Sequence, residues 1–385
     1  MQLTAKSSLT NALLISICTP EFKGDEATES LAELSRLVTT LGFKVVGSQS
    51  QKQSSTKRVN VLGLGKLAEI AHLTGNKGLV EEGEKDEDLP EEKAEEIADE
   101  ARFADIQSDN LPFGCADVVV FDCDLSPSQL RNVENKLGVE VFDRTGIIIE
   151  IFSRHARTKT AKLQVEIARL NYVAPRLRES SCGDKERQMG KGAGETTLEL
   201  NRRKVRDQLA ALKRELVSVQ DEMKDRRTQR SELFCVALVG YTNAGKSSMM
   251  RAITGSDVLS ENKLFATLDT TVRALHPMTQ PRILVSDTVG FIKKLPHDLV
   301  ASFHSTLAEA HDASLLLYVV DASDPSFHAQ LDVVHEVLEE VGVEESKKLL
   351  VLNKSDLLST EQQQALMEEF PDAMMTSTRN PADVD

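Results

Sequence analysis

Gly240-Tyr241-Thr242-Asn243-Ala244-Gly245-Lys246-Ser247 is the stretch whose residue types and spacing most directly imply chemistry. It follows the apolar run Phe234 to Val239 and precedes a helix expected over Lys246 to Ile253. A strand, a glycine-framed loop and a helix start together make a phosphate cradle. Backbone N–H groups face the anion, and the helix N-terminus adds a favourable field. Lys246 is placed to reach the β and γ phosphates, the Ser247 hydroxyl to meet Mg²⁺, and Ser248 is counted with the loop among the nucleotide-binding residues.

Two later segments narrow the ligand. Ile283 to Ser286 is a short apolar strand ending in Asp287-Thr288-Val289-Gly290. Asp287 can hold Mg²⁺ through water, and the Gly290 N–H can meet a γ-phosphate. Lys348 to Leu352 then leads into Asn353-Lys354-Ser355-Asp356. A carboxylate at Asp356 accepts from the N1–H and 2-amino group of guanine, a donor pair that adenine lacks. The three segments fall in order at strand ends, as expected of a crevice at the carboxyl edge of a parallel sheet. The reading is a GTP site with Lys246 and Gly290 at the transferred phosphate.

The switch between the first two segments is less determinate. Thr267 lies twenty residues beyond Ser247 and twenty before Asp287, so it is the chosen second Mg²⁺ ligand; Thr270 and Thr271 remain alternatives. Phe291 follows Gly290, where a GTPase often carries a water-positioning glutamine, and a phenyl ring neither orients nor deprotonates water. Hydrolysis is therefore expected to be slow unless a partner, a cation or another loop completes the site. Asn243 offers a carboxamide oxygen on the phosphate side, which makes K⁺ a candidate second cation. His297, beside Pro296, is read as structural.

The elements that must position these residues fall into three expected domains. Residues 1–152 alternate apolar runs with helical stripes: Leu13 to Ile17 and Phe43 to Val46 as strands, Leu31, Leu34, Leu37 and Val38 at helical spacing. Val118 to Phe121 and Val139 to Phe142 are further strands around a helix over Ser126 to Leu137, with Ser126 or Ser128 as cap. Ile147 to Phe152 closes the domain. Gly63 and Gly65 are read as turn glycines. Within this α/β domain an acidic insertion lies near 80–112; residues 81–100 hold twelve Asp or Glu against Lys85 and Lys93, a composition that favours disorder.

Residues 153–230 have a helical period. Leu163, Ile167 and Leu170 share a stripe, and Val205, Leu209, Leu212, Leu216, Val219 and Met223 step 4-3-4-3-4, a heptad seam. Two helices separated by residues 174–196 are expected to form an antiparallel hairpin with a glycine-rich connection. Arg154, His155, Arg157, Lys159 and Lys162 concentrate charge at its foot. Residues 233–385 make the nucleotide domain. A helix over Leu299 to Glu309, strands near Leu315 to Val320 and Ala373 to Ser377, and helices Ala329 to Glu340 and Glu361 to Phe370 complete it.

Whole-chain numbers set bounds. At 385 residues and 42.4 kDa, two or three domains fit. Net charge is −15, yet residues 202–230 hold ten Lys or Arg against five acids, so a basic face survives on an acidic chain. With 13 Phe, 3 Tyr and no Trp, aromatic base-stacking platforms are poorly supplied. The five cysteines form no Cys-x-x-Cys pair, which points to a reducing, cytoplasmic setting without structural zinc. No run approaches 18 apolar residues, so neither membrane span nor signal peptide is expected.

The chain resembles the HflX family of translation-associated GTPases. The resemblance is carried by Asp124 to Asn132, Asp143-Arg144-Thr145, Ile151 to Thr158, Leu163 to Glu166, Gly240 to Ser247, Leu264-Phe265-Ala266-Thr267-Leu268-Asp269, Asp287 to Ile292 and Leu295-Pro296-His297. It implies an N-terminal α/β domain, a helical hairpin and a translation-factor-class GTPase domain. It also implies that Phe265, Ala266 and Thr267 lie at the nucleotide, and that the Ser377-Thr378 region resembles the guanine-contacting loop. The partners so implied are GTP and GDP, the large ribosomal subunit and ribosomal RNA, engaged by a monomer that needs no membrane. The activity implied is stimulated GTP hydrolysis coupled to splitting or rescue of stalled ribosomes under stress, with Gly190 to Gly194 near the peptidyl transferase centre. The family's closing helix is not found before Asp385, so the GTPase domain is expected to be C-terminally incomplete. A GTP-regulated protein-interaction module acting away from ribosomes is the alternative.

Overall fold

The computed structural model describes residues 10–20, 26–53, 61–76, 114–179, 197–228, 233–255, 264–265, 270–293, 309–340, 342–343 and 347–383. The acidic segment, Gly190 to Gly194, Ala266, Thr267, His297 and nearly all of the helix expected over Leu299 to Glu309 lie outside these residues. The chain divides into two compact units, Met1–Ile151 with Tyr172–Leu198 and Phe152–Asn171 with Glu199–Asp385.

In the first unit, β1 (Asn11–Cys18), β2 (Lys44–Lys52), β3 (Val118–Phe121) and β4 (Glu140–Asp143) form a parallel sheet in the order β2-β1-β3-β4. Ala12 to Ile17 is an unbroken buried run because a parallel central strand is covered on both faces. The crossover helices are α1 (Glu26–Thr40), α2 (Leu64–Leu73) and α3 (Pro127–Leu137). Leu13, Ile15 and Ile17 pack with Leu67, Ile70 and Val133 on one face of the sheet. Of the two candidate caps for α3, Ser126 is the one used. Its Oγ accepts from the Gln129 N–H at 3.3 Å, and Gln129 Oε1 accepts from the Ser126 N–H at 2.9 Å. Ile147 to Phe152 belongs to α4 (Arg144–His155), whose Ile147, Ile148, Ile149, Ile151 and Phe152 are all buried.

Two charged clusters fix the carboxyl edge of this sheet. Arg144, fully buried, donates from Nη1 to Asp122 Oδ1 at 2.7 Å and from Nη2 to Glu33 Oε2. Asp143 accepts from the Leu125 and Gly146 backbone N–H groups, from Tyr172 Oη–H at 2.5 Å and from Arg176 Nη2 at 2.9 Å. Burial raises the Asp143 carboxyl above its ordinary range, with Arg176 and Tyr172 opposing. Tyr172 and Arg176 lie on α5 (Lys159–Glu179), which therefore runs beyond the connection expected from residue 174 and contains Pro175. Proline forfeits one helical N–H. Here the turn is held from outside, because residues on either side of Pro175 grip one carboxylate and the Arg176 guanidinium stacks 3.5 Å from the Tyr172 ring centroid.

In the second unit, the first residue of α5 meets the middle of α6 (Thr197–Thr228): Lys159 Nζ lies 2.7 Å from Glu215 Oε1, the pairing an antiparallel hairpin requires. The seam residues Val205, Leu209, Leu212, Leu216 and Val219 are half-buried, while nearly every other described α6 side chain is exposed. The nucleotide domain is a six-stranded sheet in the order β10-β9-β8-β5-β7-β6, from β5 (Phe234–Val239), β6 (Thr271–Ala274), β7 (Ile283–Asp287), β8 (Leu315–Asp321), β9 (Lys347–Asn353) and β10 (Met374–Met375). All pairs are parallel except β6 with β7, which sets Thr271 opposite Asp287. The helices described here are α7 (Lys246–Thr254), α8 (Phe327–Glu340) and α9 (Thr360–Glu369).

Removing the Arg144 guanidinium strands two buried carboxylates. Arg144→Ala is expected to lower the unfolding free energy by about 3–5 kcal/mol, read from urea denaturation. A change within about 0.5 kcal/mol would show that the cluster contributes little.

Candidate functional site

The central strand β5 lies between β8 and β7, and its carboxyl end is the point where strand order reverses. There the backbone turns so sharply that two positions admit no side chain. A Cβ on Gly240 would fall 2.1 Å from Val319 O, and one on Gly245, at φ +99°, 2.1 Å from Asn353 Nδ2. Asn353 uses that Nδ2 to donate to Ala244 O at 2.8 Å, so the end of β9 buttresses the phosphate loop directly. Asn243 stands at φ +62°, a left-handed conformation that asparagine tolerates better than most residues, with its side chain exposed.

Lys246 is buried at the start of α7 and donates to Gly240 O at 3.0 Å and Tyr241 O at 2.7 Å. Burial pulls its ammonium down to about 8, with the Asp287 charge opposing. Ser247 Oγ donates to Asp287 Oδ2 at 2.7 Å, which sets a hydroxyl and a carboxylate oxygen side by side at the root of the loop. Ser248 follows in the same helical turn. Gly290 lies close by; a Cβ there would come within 3.0 Å of Lys246 Nζ and of Thr242 Cα.

The segment after Asp287 is bound to the phosphate loop as if it were a further strand. The Thr242 N–H donates to Phe291 O at 2.8 Å and the Phe291 N–H to Gly240 O at 3.1 Å. The Lys293 N–H donates to Tyr241 Oη at 2.7 Å. Phe291 is buried in the cluster containing Ala237, Val239, Leu316 and Val334. Its ring is a core anchor, and no water-holding group is supplied by that side chain. Phe265, at φ +57°, is also buried, with its ring edge-on to Phe152 at 4.6 Å between centroids. Thr270 precedes β6 and Thr271 begins it.

At the end of β9, Lys354 adopts φ +62° and its Nζ donates to Asp321 Oδ2 at 2.5 Å. Asp321 closes β8 and was not singled out from sequence; its position at the end of an apolar run beside Asn353 is the signal that could have found it. Asp356 accepts from Ser377 Oγ–H at 2.7 Å, which holds its carboxyl below the usual range. The Ser355 N–H donates to Thr376 O, joining the loops that follow β9 and β10, and Thr378 follows half-exposed. The structure thus brings Gly240 to Ser247, Asp287, Gly290, Asn353, Asp356 and Ser377 to one sheet edge. Among the described residues no group of three or more His, Cys, Asp or Glu forms a metal cage, and no helix is long and apolar enough to cross a membrane.

A six-stranded sheet with this phosphate loop, an Asp-x-x-Gly segment and an Asn-Lys-x-Asp loop at one edge defines a P-loop GTPase. Three family models match in series: a GTP-binding GTPase N-terminal region over residues 28–81 and 89–153, a GTP-binding GTPase middle region over 155–230, and a 50S ribosome-binding GTPase over 235–354. The chain is 56% identical to the GTPase HflX of Gluconacetobacter diazotrophicus, over 97% of this chain and 82% of that protein. It is 36% identical to the GTPase HflX of Caldanaerobacter subterraneus subsp. tengcongensis, over 90% of this chain and 73% of the relative. A GTP-binding protein from Sulfolobus solfataricus, solved with GDP, aligns at 23% identity and a TM-score of 0.48 over 96% of this chain and 94% of that one. The chain belongs to the HflX family of GTPases, and it binds and hydrolyses GTP.

The contact geometry predicts unequal effects of one substitution at two glycines. Gly42→Ala, at φ +85° with nothing within 4 Å of the added carbon, is expected to cost about 1 kcal/mol of strain alone. Gly245→Ala must also displace Asn353, and is expected to abolish nucleotide binding in a fluorescence titration and cost about 3 kcal/mol in urea. Equal effects would show that the close approach is unimportant.

Proposed function

We propose that this GTPase acts on the large ribosomal subunit, contacting ribosomal RNA through its basic helical foot and coupling GTP hydrolysis to splitting or rescue of stalled ribosomes. The observation that carries the reading is the set Arg154, Arg157, Lys159 and Lys162, all exposed around the junction of α4 and α5 on a chain of net charge −15. Clustered cations on an acidic protein meet phosphates, but they carry no sequence code. The match of residues 235–354 to a model described as a 50S ribosome-binding GTPase supports the same partner.

In the chemical part of the proposal, the loop N–H groups and Lys246 hold the β and γ phosphates, and the Gly290 N–H faces the γ-phosphate. Mg²⁺ fits Ser247 directly and Asp287 through water, since their oxygens already lie side by side; Thr267 is the proposed second direct ligand. One or two protein oxygens with phosphates and water is the coordination this ion ordinarily takes. When bound, it neutralises charge developing on the phosphates. Asp356 and the Ser377 N–H read guanine, with Lys354 steadied by Asp321. Because Phe291 is buried, water must be ordered by another group, and the exposed carboxamide of Asn243 is the proposed K⁺ ligand.

Sucrose-gradient co-sedimentation with GTP, GDP or a nonhydrolysable analogue tests the partner. Neutralising Arg154, Arg157 and Lys162 is expected to weaken ribosome association and flatten its log–log salt dependence by roughly 2–3, while nucleotide affinity stays unchanged. Unaltered pelleting across salt concentrations would remove these residues as the anchor, and nucleotide-independent failure to pellet would favour the protein-interaction alternative. Turnover in matched KCl and NaCl tests the cation. Wild type is expected to hydrolyse GTP about tenfold faster in K⁺, a 1.4 kcal/mol effect on the barrier. Asn243→Ala is expected to lose most of that ratio with little change in GTP affinity; an equal ratio in both proteins rejects the cation role.

A further inference from the structure

The guanine end of the site is engaged by the chain itself. Besides Ser377, Asp356 receives Arg379: Nη1 donates to Asp356 Oδ2 at 3.3 Å. The Ser377 backbone N–H donates to Asp383 Oδ2 at 2.9 Å. These contacts use the two groups that a guanine base would take. Guanine offers a donor edge, N1–H with the 2-amino group, and beside it the acceptor O6. The Arg379 guanidinium presents a charged N–H donor to the carboxylate as that edge does, through the single bond from Nη1, and the Asp383 carboxylate presents the acceptor that O6 would.

We propose that Arg379 and Asp383 form an intramolecular stand-in for guanine, which must leave before a nucleotide base can seat. This rests on the reading of Asp356 and the Ser377 N–H as the base site. The stand-in is held by a local turn: the Asn380 N–H donates to Ser377 O at 2.9 Å, and the Asp383 N–H to Asn380 O at 3.1 Å. Asn380 Nδ2 also donates to Asp383 Oδ1 at 2.6 Å, and the Arg379 N–H to Ser377 Oγ at 3.3 Å. All these partners lie within seven residues, so the turn brings both mimicking groups to the site together. The Arg379 side chain is 80% exposed and that of Asp356 31% exposed, so the contact is screened by water and cheap to break. It is a competitor that slows entry, since apparent affinity falls in proportion to the fraction of molecules with the base site open. The phosphate loop is not blocked by it.

Stopped-flow binding of a fluorescent GDP tests this in the full chain. Arg379→Ala and Asp383→Ala are each expected to raise the association rate constant about two- to fivefold, and the double variant more. Dissociation should be unchanged, because the stand-in is displaced in the bound state. Affinity for inorganic pyrophosphate, which uses only the phosphate end, should match wild type in all variants. Asp356→Asn, titrated with GDP and xanthosine diphosphate, tests the base reading separately, with weakened GDP and retained or improved xanthosine diphosphate expected. If Asp356→Asn switches preference while neither single nor double variant speeds association, the stand-in is overturned and the base reading stands. If Asp356→Asn weakens both nucleotides alike, the base reading falls and the inference falls with it. Slower association in the variants would show that Arg379 and Asp383 assist the base, and would overturn the proposal.

Discussion

The phosphate loop depends on backbone approaching backbone where no side chain fits. Gly240 presents a hydrogen toward Val319 O and Gly245 toward Asn353 Nδ2, each at a distance that a carbon could not occupy. Because these positions are empty, β5 can end against β8, Ala244 O can be reached from β9, and Phe291 can pair with Gly240 and Thr242. Three segments far from it in sequence thereby hold one short loop. Rigidity matters here because preorganised donors need not reorganise when charge develops on a phosphate.

The charged groups around the loop have partners within the chain. The Lys246 ammonium rests on two loop carbonyls, Ser247 on Asp287, and Lys354 on Asp321. Each of these polar groups is therefore oriented by the chain itself. The N-terminal sheet uses a different arrangement. Arg144 with Asp122 and Glu33, and Asp143 with its four donors, are buried pairings that fix one edge and are not exchanged for a ligand in the proposed cycle.

Most of this organisation was legible in the sequence because it is local. Strand, loop and helix around Gly240 to Ser247 are contiguous, and the α6 seam is a plain seven-residue period that the half-buried face reproduces. What escaped had a non-local cause. Ile147 to Phe152 carries no helical period because five of its six residues are buried, and a short apolar run does not distinguish helix from strand. Pro175 reads as a helix boundary, yet Asp143, more than thirty residues earlier, holds the turn through Tyr172 and Arg176. Strand β6 has only four residues, none fully buried, and exists through its antiparallel pairing with β7. Asp321, Arg379 and Asp383 lie outside the recognisable motifs, and only the fold shows their contacts with Lys354, Asp356 and Ser377.

The pairing of β1 with β3 sets Ala12 opposite Val118, so the first sheet closes a loop of about one hundred residues before its core is complete. Closure entropy grows only with the logarithm of length, about 0.6 kcal/mol per doubling. The span between these strands can therefore lengthen or shorten at little thermodynamic expense, provided that it stays outside the core. The kinetic consequence differs. Helices such as α6 need only neighbouring residues to form, whereas this sheet must await contacts distant along the chain, and such contacts slow folding. During synthesis β2 can cover one edge of β1 early, but the other edge of this strand rich in leucine and isoleucine stays open until β3 emerges about a hundred residues after it.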